Sequence, residues 1–167
     1  SYDFMAQPMI NDKFDIIEKE PIRIWYIDIE TSSINGFPDV EKADNKIYSI
    51  YIYDNFEGKY FYLDDENEIE LLNLFSFHMK NYNPDMLIAW NGDDFDFPYI
   101  LNRMKRLGLN INSLSRMNES HVWKGKAVIK GRILFDLMRG YKKITQGQRE
   151  RWSLEYISQY ELKEGKE

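Results

Sequence analysis

Ile24-Trp25-Tyr26-Ile27-Asp28-Ile29-Glu30-Thr31 is the stretch on which the reading of this chain turns. Residues 22–29 are rich in β-branched and aromatic side chains and read as a strand. Two carboxylates, Asp28 and Glu30, come at its end. Residues two apart on a strand point to the same face, roughly 7 Å apart along the chain. Carboxylates so placed repel each other unless a cation lies between them. A pair of divalent ions about 4 Å apart is the usual arrangement for hydrolysing a phosphodiester. An Asp-x-Glu match alone is weak evidence, because most are solvated strand ends. Here the run Ile24-Trp25-Tyr26-Ile27 ahead of it is expected to be buried, and charges leaving a buried strand favour a functional reading.

A second short run, residues 86–90, is wholly apolar, as in a central strand buried on both faces. It leads into Trp90-Asn91-Gly92-Asp93-Asp94-Phe95-Asp96 and then a helix over 97–107, with Pro98 in its first turn and Gly108 closing it. Ligands of open α/β sheets collect at strand carboxyl ends. If the two strands are neighbours, Asp28, Glu30 and Asp96 converge. Taken alone, Asp96 reads equally as a helix cap, and Asp93 and Asp94 read as turn residues.

Around these stretches the pattern gives a loop over 31–45, a hairpin of strands 47–53 and 59–63, and a helix over 66–81 whose apolar steps are Ile69, Leu72, Phe75 and Met79. Residues 109–125 look irregular. A strand or strand pair follows over 127–135, then helices over 137–143 and 153–160. This order predicts a three-layer α/β domain on a mixed sheet.

The 167 residues suit one domain, and 43% hydrophobic content is enough for a core. The net charge of −6 is unlike that of a protein that simply coats duplex DNA, but it suits a site of clustered carboxylates. With no cysteine, disulfides, thiolate zinc and cysteine nucleophiles are excluded. The two histidines, His78 and His121, are read as packing or solvated residues. Oxygen donors without Cys or clustered His favour Mg²⁺ or Mn²⁺ over zinc. No apolar run is long enough to span a membrane, and no secretory leader opens the chain, so a cytoplasmic location is expected. No glycine-rich phosphate loop follows either buried strand, which weighs against a nucleotide-binding α/β domain.

Four segments, in order, resemble the 3′→5′ exonuclease domain of family B DNA polymerases. Tyr26-Ile27-Asp28-Ile29-Glu30-Thr31 resembles its first motif, and Asn91-Gly92-Asp93-Asp94-Phe95-Asp96 its second. Gly131-Arg132-Ile133-Leu134-Phe135-Asp136-Leu137 and Trp152-Ser153-Leu154-Glu155-Tyr156-Ile157 resemble later segments. Each motif is modest; the ordered set is specific. The resemblance implies a ribonuclease-H-like fold, a mixed sheet flanked by helices, and metal-dependent removal of a 3′-terminal nucleotide during proofreading. It makes Asp28, Glu30 and Asp96 the catalytic metal ligands for Mg²⁺ or Mn²⁺, in a two-metal site whose second ion is held weakly. Thr31, Phe37, Asn91 and Phe95 become contacts to DNA. Asn91 could instead satisfy the turn, and Phe95 could be core. The loop Thr31-Ser32-Ser33-Ile34-Asn35-Gly36-Phe37-Pro38 is similar to those of T-even-type phage polymerases, where an aromatic wedges between bases; the alternative is that Phe37 packs under its own loop. Asp136 is taken as structural. Arg103, Lys105 and Arg106 are read as phosphate contacts or, more commonly, solvated helix residues.

The family's third motif, a Tyr about one helical turn ahead of an Asp on a late helix, is not found: after Asp96 the only aspartate is Asp136, preceded four residues earlier by Arg132. The expectation is an exonuclease domain over 22–167, incomplete at its C-terminus, after a lead-in segment over 1–21. Implied partners are the 3′ end of single-stranded DNA, the rest of the polymerase and, through it, a sliding clamp. The alternative is a split-polymerase or non-catalytic subunit.

Overall fold

The structure, a computed structural model, describes residues 21–34, 36–147 and 149–164. The lead-in segment, Pro21 apart, lies outside them. Strand β1 (Ile24–Thr31) is flanked on one side by antiparallel β2 (Ile47–Asp54), which pairs with β3 (Lys59–Asp64). On its other side runs parallel β4 (Met86–Ala89), itself parallel to β7 (Ile133–Asp136). The sheet order is therefore β3-β2-β1-β4-β7, mixed as expected. Strands β5 (Ser120–Trp123) and β6 (Lys126–Ile129) form a separate hairpin. Its turn uses Lys124 and Gly125, both at positive φ (48° and 75°), the conformation a two-residue hairpin turn requires. Half of the hairpin falls in the stretch expected to be irregular. Its strands are short and mostly half-buried, so they carry little period-2 signal.

Helix α1 (Glu68–Tyr82) starts at Asn67, whose side chain accepts a hydrogen bond from Ile69 N, and ends at Asn83 in the left-handed conformation. Leu71, Leu72, Phe75 and Met79 are buried, but Ile69 is exposed. The buried stripe begins instead at Glu68, whose carboxylate accepts from Arg103 Nε and Nη2 (2.7 and 2.6 Å) and from Ile47 N (2.7 Å). Arg103 on α2 (Phe97–Arg106) is therefore neither a phosphate contact nor solvated; it is half of a buried ion pair. Helices α3 (Leu137–Ile144) and α4 (Leu154–Glu164) follow β7.

The core lies between α1, α2 and one face of the sheet, where Trp25, Ile27 and Ile29 of β1 meet Phe75, Met79, Leu101 and Met104. The alternation of β1 leaves Tyr26, Asp28 and Glu30 on the other face. The expectation of a wholly buried run ahead of Asp28 is thus corrected, because Tyr26 is exposed. That face is a groove of about 500 Å³ walled by tyrosines 26, 51, 53, 60 and 62, with Leu137 and Leu154 along one side. Tyr51 and Tyr62 lie across the strands with ring centroids 4.6 Å apart, and Tyr53 and Tyr60 at 4.7 Å.

Candidate active site at the strand ends

β1 runs two residues further than the sequence pattern suggests, so Asp28 and Glu30 lie within the strand. They point to one face, opposite Tyr51 and Ser49 of β2. The register slips between Glu30 and Thr31, which turns the chain out into the loop that carries Phe37. Parallel pairing with β4 brings the turn after Ala89 beside the end of β1. That turn is a single π-helical turn, Gly92–Asp96, running directly into α2. Gly92 is required there: a Cβ on it would meet the Phe97 ring at 2.4 Å.

Asp96 is buried and makes no capping hydrogen bond from its side chain, so the helix-cap reading does not hold. Burial first, and then the charge of Asp28, push its carboxyl up to about 7, although the Asp96 and Ile29 backbone amides work the other way. Asp28 is also raised, first by loss of surrounding water and then by Glu30. Asp28, Glu30 and Asp96 are thus linked through Asp28 by mutual repulsion. Among the described residues, however, no three acidic or histidine side chains stand close enough to hold one ion as they are. Asn91 does not satisfy the turn with its side chain: its Oδ1 is buried and has no hydrogen-bond partner. Mutually repelling carboxylates are oxygen donors suited to a hard divalent cation, and the orphaned Asn91 oxygen belongs to the residue that opens the turn ending at Asp96.

A second cleft, of about 590 Å³, opens next to Glu30. Glu30, Thr31, Phe37 and Phe95 all line it. Phe37 is 93% exposed and does not pack under its loop. Phe95 is half-buried and stacks on Tyr99 at 5.3 Å. Asp136 has the structural role expected of it: it caps α3 by accepting from Arg139 N (2.7 Å), and it also accepts from Asp93 N (3.1 Å). Asp93 and Asp94 do more than shape their turn. Asp93 pairs with Arg139 at 2.6 Å, and Asp94 pairs with Lys126 of the hairpin. His78 lies among the rings of Phe61, Phe77 and Tyr82. His121 faces Glu119 at 3.7 Å.

The sequence reading missed the polar stripe of α2. Tyr99, Asn102, Arg103 and Arg106 donate to the carbonyls of Asn45, Val40, Ala43 and Lys42, at 2.7, 2.8, 3.0 and 3.4 Å. The steps of three and four residues put these side chains on one helix face, a pattern open to view in the sequence.

The fold and this site define a nuclease-like α/β domain. The family described as "DNA polymerase family B, exonuclease domain" matches residues 56–157, and the chain belongs to that family. The match includes Asn91, Phe95 and Asp96 but begins after Asp28 and Glu30. A DNA-directed DNA polymerase of Escherichia phage RB69 is 24% identical over a gapped alignment of 196 positions that covers 87% of this chain and 22% of that protein. A DNA polymerase of Pyrococcus horikoshii is 45% identical over 65 residues, covering 35% of this chain and 5% of its own length. The solved family B DNA polymerase of the archaeon Pyrobaculum calidifontis superposes with a TM-score of 0.61 at 24% identity, over 71% of this chain and 16% of that one. The chain therefore spans about a fifth or less of the polymerases it resembles. Among the described residues, no helix is long and apolar enough to cross a membrane.

Proposed function

We propose that residues 22–167 form the part of a family B polymerase's 3′→5′ exonuclease that grips the end of single-stranded DNA, with residues 1–21 leading in from the polymerase's N-terminal region. One observation carries this reading. Asp28 and Glu30 on β1 and Asp96 in the turn after parallel β4 are electrostatically linked, and Glu30 lines a cleft walled by Phe37 and Phe95. In this reading Asp28, Glu30 and Asp96 hold Mg²⁺ or Mn²⁺. Such ions, when bound, polarise the phosphodiester and lower the pKa of the attacking water. Asn91, whose side-chain oxygen is unpartnered and which opens the turn that ends at Asp96, contacts the terminal nucleotide in this reading. Phe37 and Phe95 stack on the terminal bases, which suits any sequence because every base has a π-face. Thr31, at the bulge and on the cleft wall, contacts the DNA strand in this reading. The substrate is a frayed 3′ end. The remaining polymerase, and through it a sliding clamp, are the partners.

A second reading, a subunit that binds DNA without cutting it, draws support from the lack of a complete three-ligand cluster among the described residues. The deciding experiment is degradation of a 5′-labelled single-stranded oligonucleotide with Mg²⁺, Mn²⁺ or EDTA, using Asp28→Ala/Glu30→Ala as control. Metal-dependent shortening from the 3′ end that disappears in the control supports the first reading. Binding without cleavage by the folded chain supports the second. Neither binding nor cleavage refutes both.

A further inference from the structure

The two aromatic walls of the cleft stand on different parts of the chain: Phe37 on the loop after β1, Phe95 in the turn after β4. Two buried residues, Tyr99 and Asn45, join them. Tyr99 is fully buried, and its ring packs on Phe95. Its hydroxyl donates to Asn45 O at 2.7 Å, and Asn45 Nδ2 donates to Gly36 O at 3.1 Å. Gly36, at φ 88°, immediately precedes Phe37. Exposed side chains on a loop have little packing to hold them, so the direction of Phe37 depends on how its backbone is tied down. Burial raises the Tyr99 phenol above its ordinary value, so it remains a donor across the working pH range.

We infer that Tyr99 is the positioning residue of the cleft: it sets Phe95 by ring contact and Phe37 through the Asn45–Gly36 relay, and so fixes the gap into which a terminal base of single-stranded DNA inserts. This inference rests on the proposed reading of the cleft as a nucleotide site. A preorganised pair of ring walls lowers the ordering cost of binding, and loosening one wall should weaken binding while leaving the carboxylates in place.

The test uses a single-stranded oligodeoxynucleotide with 2-aminopurine as its 3′-terminal base, titrated with the full chain in EDTA so that no cutting intervenes. The fluorescence of 2-aminopurine reports stacking. Parent protein, Phe37→Ala, Tyr99→Phe, Asn45→Ala and Phe37→Ala/Tyr99→Phe are compared, with circular dichroism verifying the fold of each. Tyr99→Phe keeps the ring and removes only the hydroxyl. It should weaken binding about fivefold, the scale of one hydrogen bond, and reduce the quenching. Asn45→Ala should do the same from the other end of the relay. In the Phe37→Ala background, Tyr99→Phe should have no further effect. Full quenching and affinity in Tyr99→Phe and Asn45→Ala, alongside a loss in Phe37→Ala, overturns the relay while leaving the cleft reading intact. Unchanged quenching in Phe37→Ala overturns both. An additive loss in the double variant marks the Tyr99 hydroxyl as merely structural and also overturns the relay.

Discussion

Asp96 concentrates the electrostatic tension of the molecule in one side chain. Its carboxyl is held at about 7 in the folded chain, against an ordinary value of 3.8. Between those values the folded state keeps a proton that the unfolded state has released. This group's contribution to stability is therefore complete below about pH 4 and is lost as pH rises through 7. Asp96→Asn, which copies the neutral form, should raise the melting temperature at pH 8 by roughly 3–6 °C, on the order of 1–2 kcal/mol, and change it little at about pH 3.5, below the unfolded-state value. Any cleavage activity should fall below detection in the same variant. Thermal unfolding at the two pH values checks this; an equal change at both would show that the charge is not what strains the fold. A cation among the carboxylates would relieve the same repulsion, which is why a site of this kind trades stability for function.

At the level of elements, a tight turn places Asp96, and the half-buried Arg132 ties strand to helix. The π-turn Gly92–Asp96 runs into α2 with no room for a side chain at Gly92. Gly92→Ala should cost about 1–3 kcal/mol, because Phe97 must leave its core position, and should displace Asp96 with it. Urea unfolding measures the first effect, and loss of the raised Asp96 titration by NMR the second. Arg132 ties β7 to the end of α1 by donating to the carbonyls of Leu114, Pro84 and Met79 (2.8, 2.6 and 3.1 Å). Burial, and then the neighbouring Arg116, lower its pKa to about 10. Arg132→Ala removes the side-chain donor to the Leu114 and Pro84 carbonyls, while Met79 O keeps Asn83 N, and should destabilise the fold by roughly 2–4 kcal/mol. A loss under 1 kcal/mol by the same denaturation assay would mean that the site tolerates water in place of the guanidinium.

Over the whole molecule, the sheet is covered unequally. Helices α1 and α2 seal one face, while the tyrosine groove on the other stays open among the described residues. An apolar groove of this kind should bind a hydrophobic dye while the chain is folded. Tyr60→Lys and Tyr62→Lys, both on the edge strand, should reduce that binding and change stability by no more than about 0.5 kcal/mol. Fluorescence of anilinonaphthalene sulfonate across a thermal melt tests this. Dye uptake only on unfolding would show that the groove is closed in solution.

Much of this was open to view in the sequence, and for a local reason. Strand, turn and helix patterns depend on neighbours a few residues away, so β2, β3, β4, α1 and α2 were placed within a residue or two, and the ordered motifs pointed to the family. The features the sequence left hidden all depend on partners distant in the chain. The identity of the open face was settled by which helices pack where, and so Tyr26 was expected to be buried and is not. Arg103 looked solvated until Glu68, 35 positions away, was found opposite it. Asp96 read from the sequence as a metal ligand or a helix cap; it makes no capping hydrogen bond, and burial and the charge of Asp28, both set by tertiary packing, raise its pKa. Local sequence determines which backbone conformations are cheap; only the folded chain determines which charges lose their water and which meet.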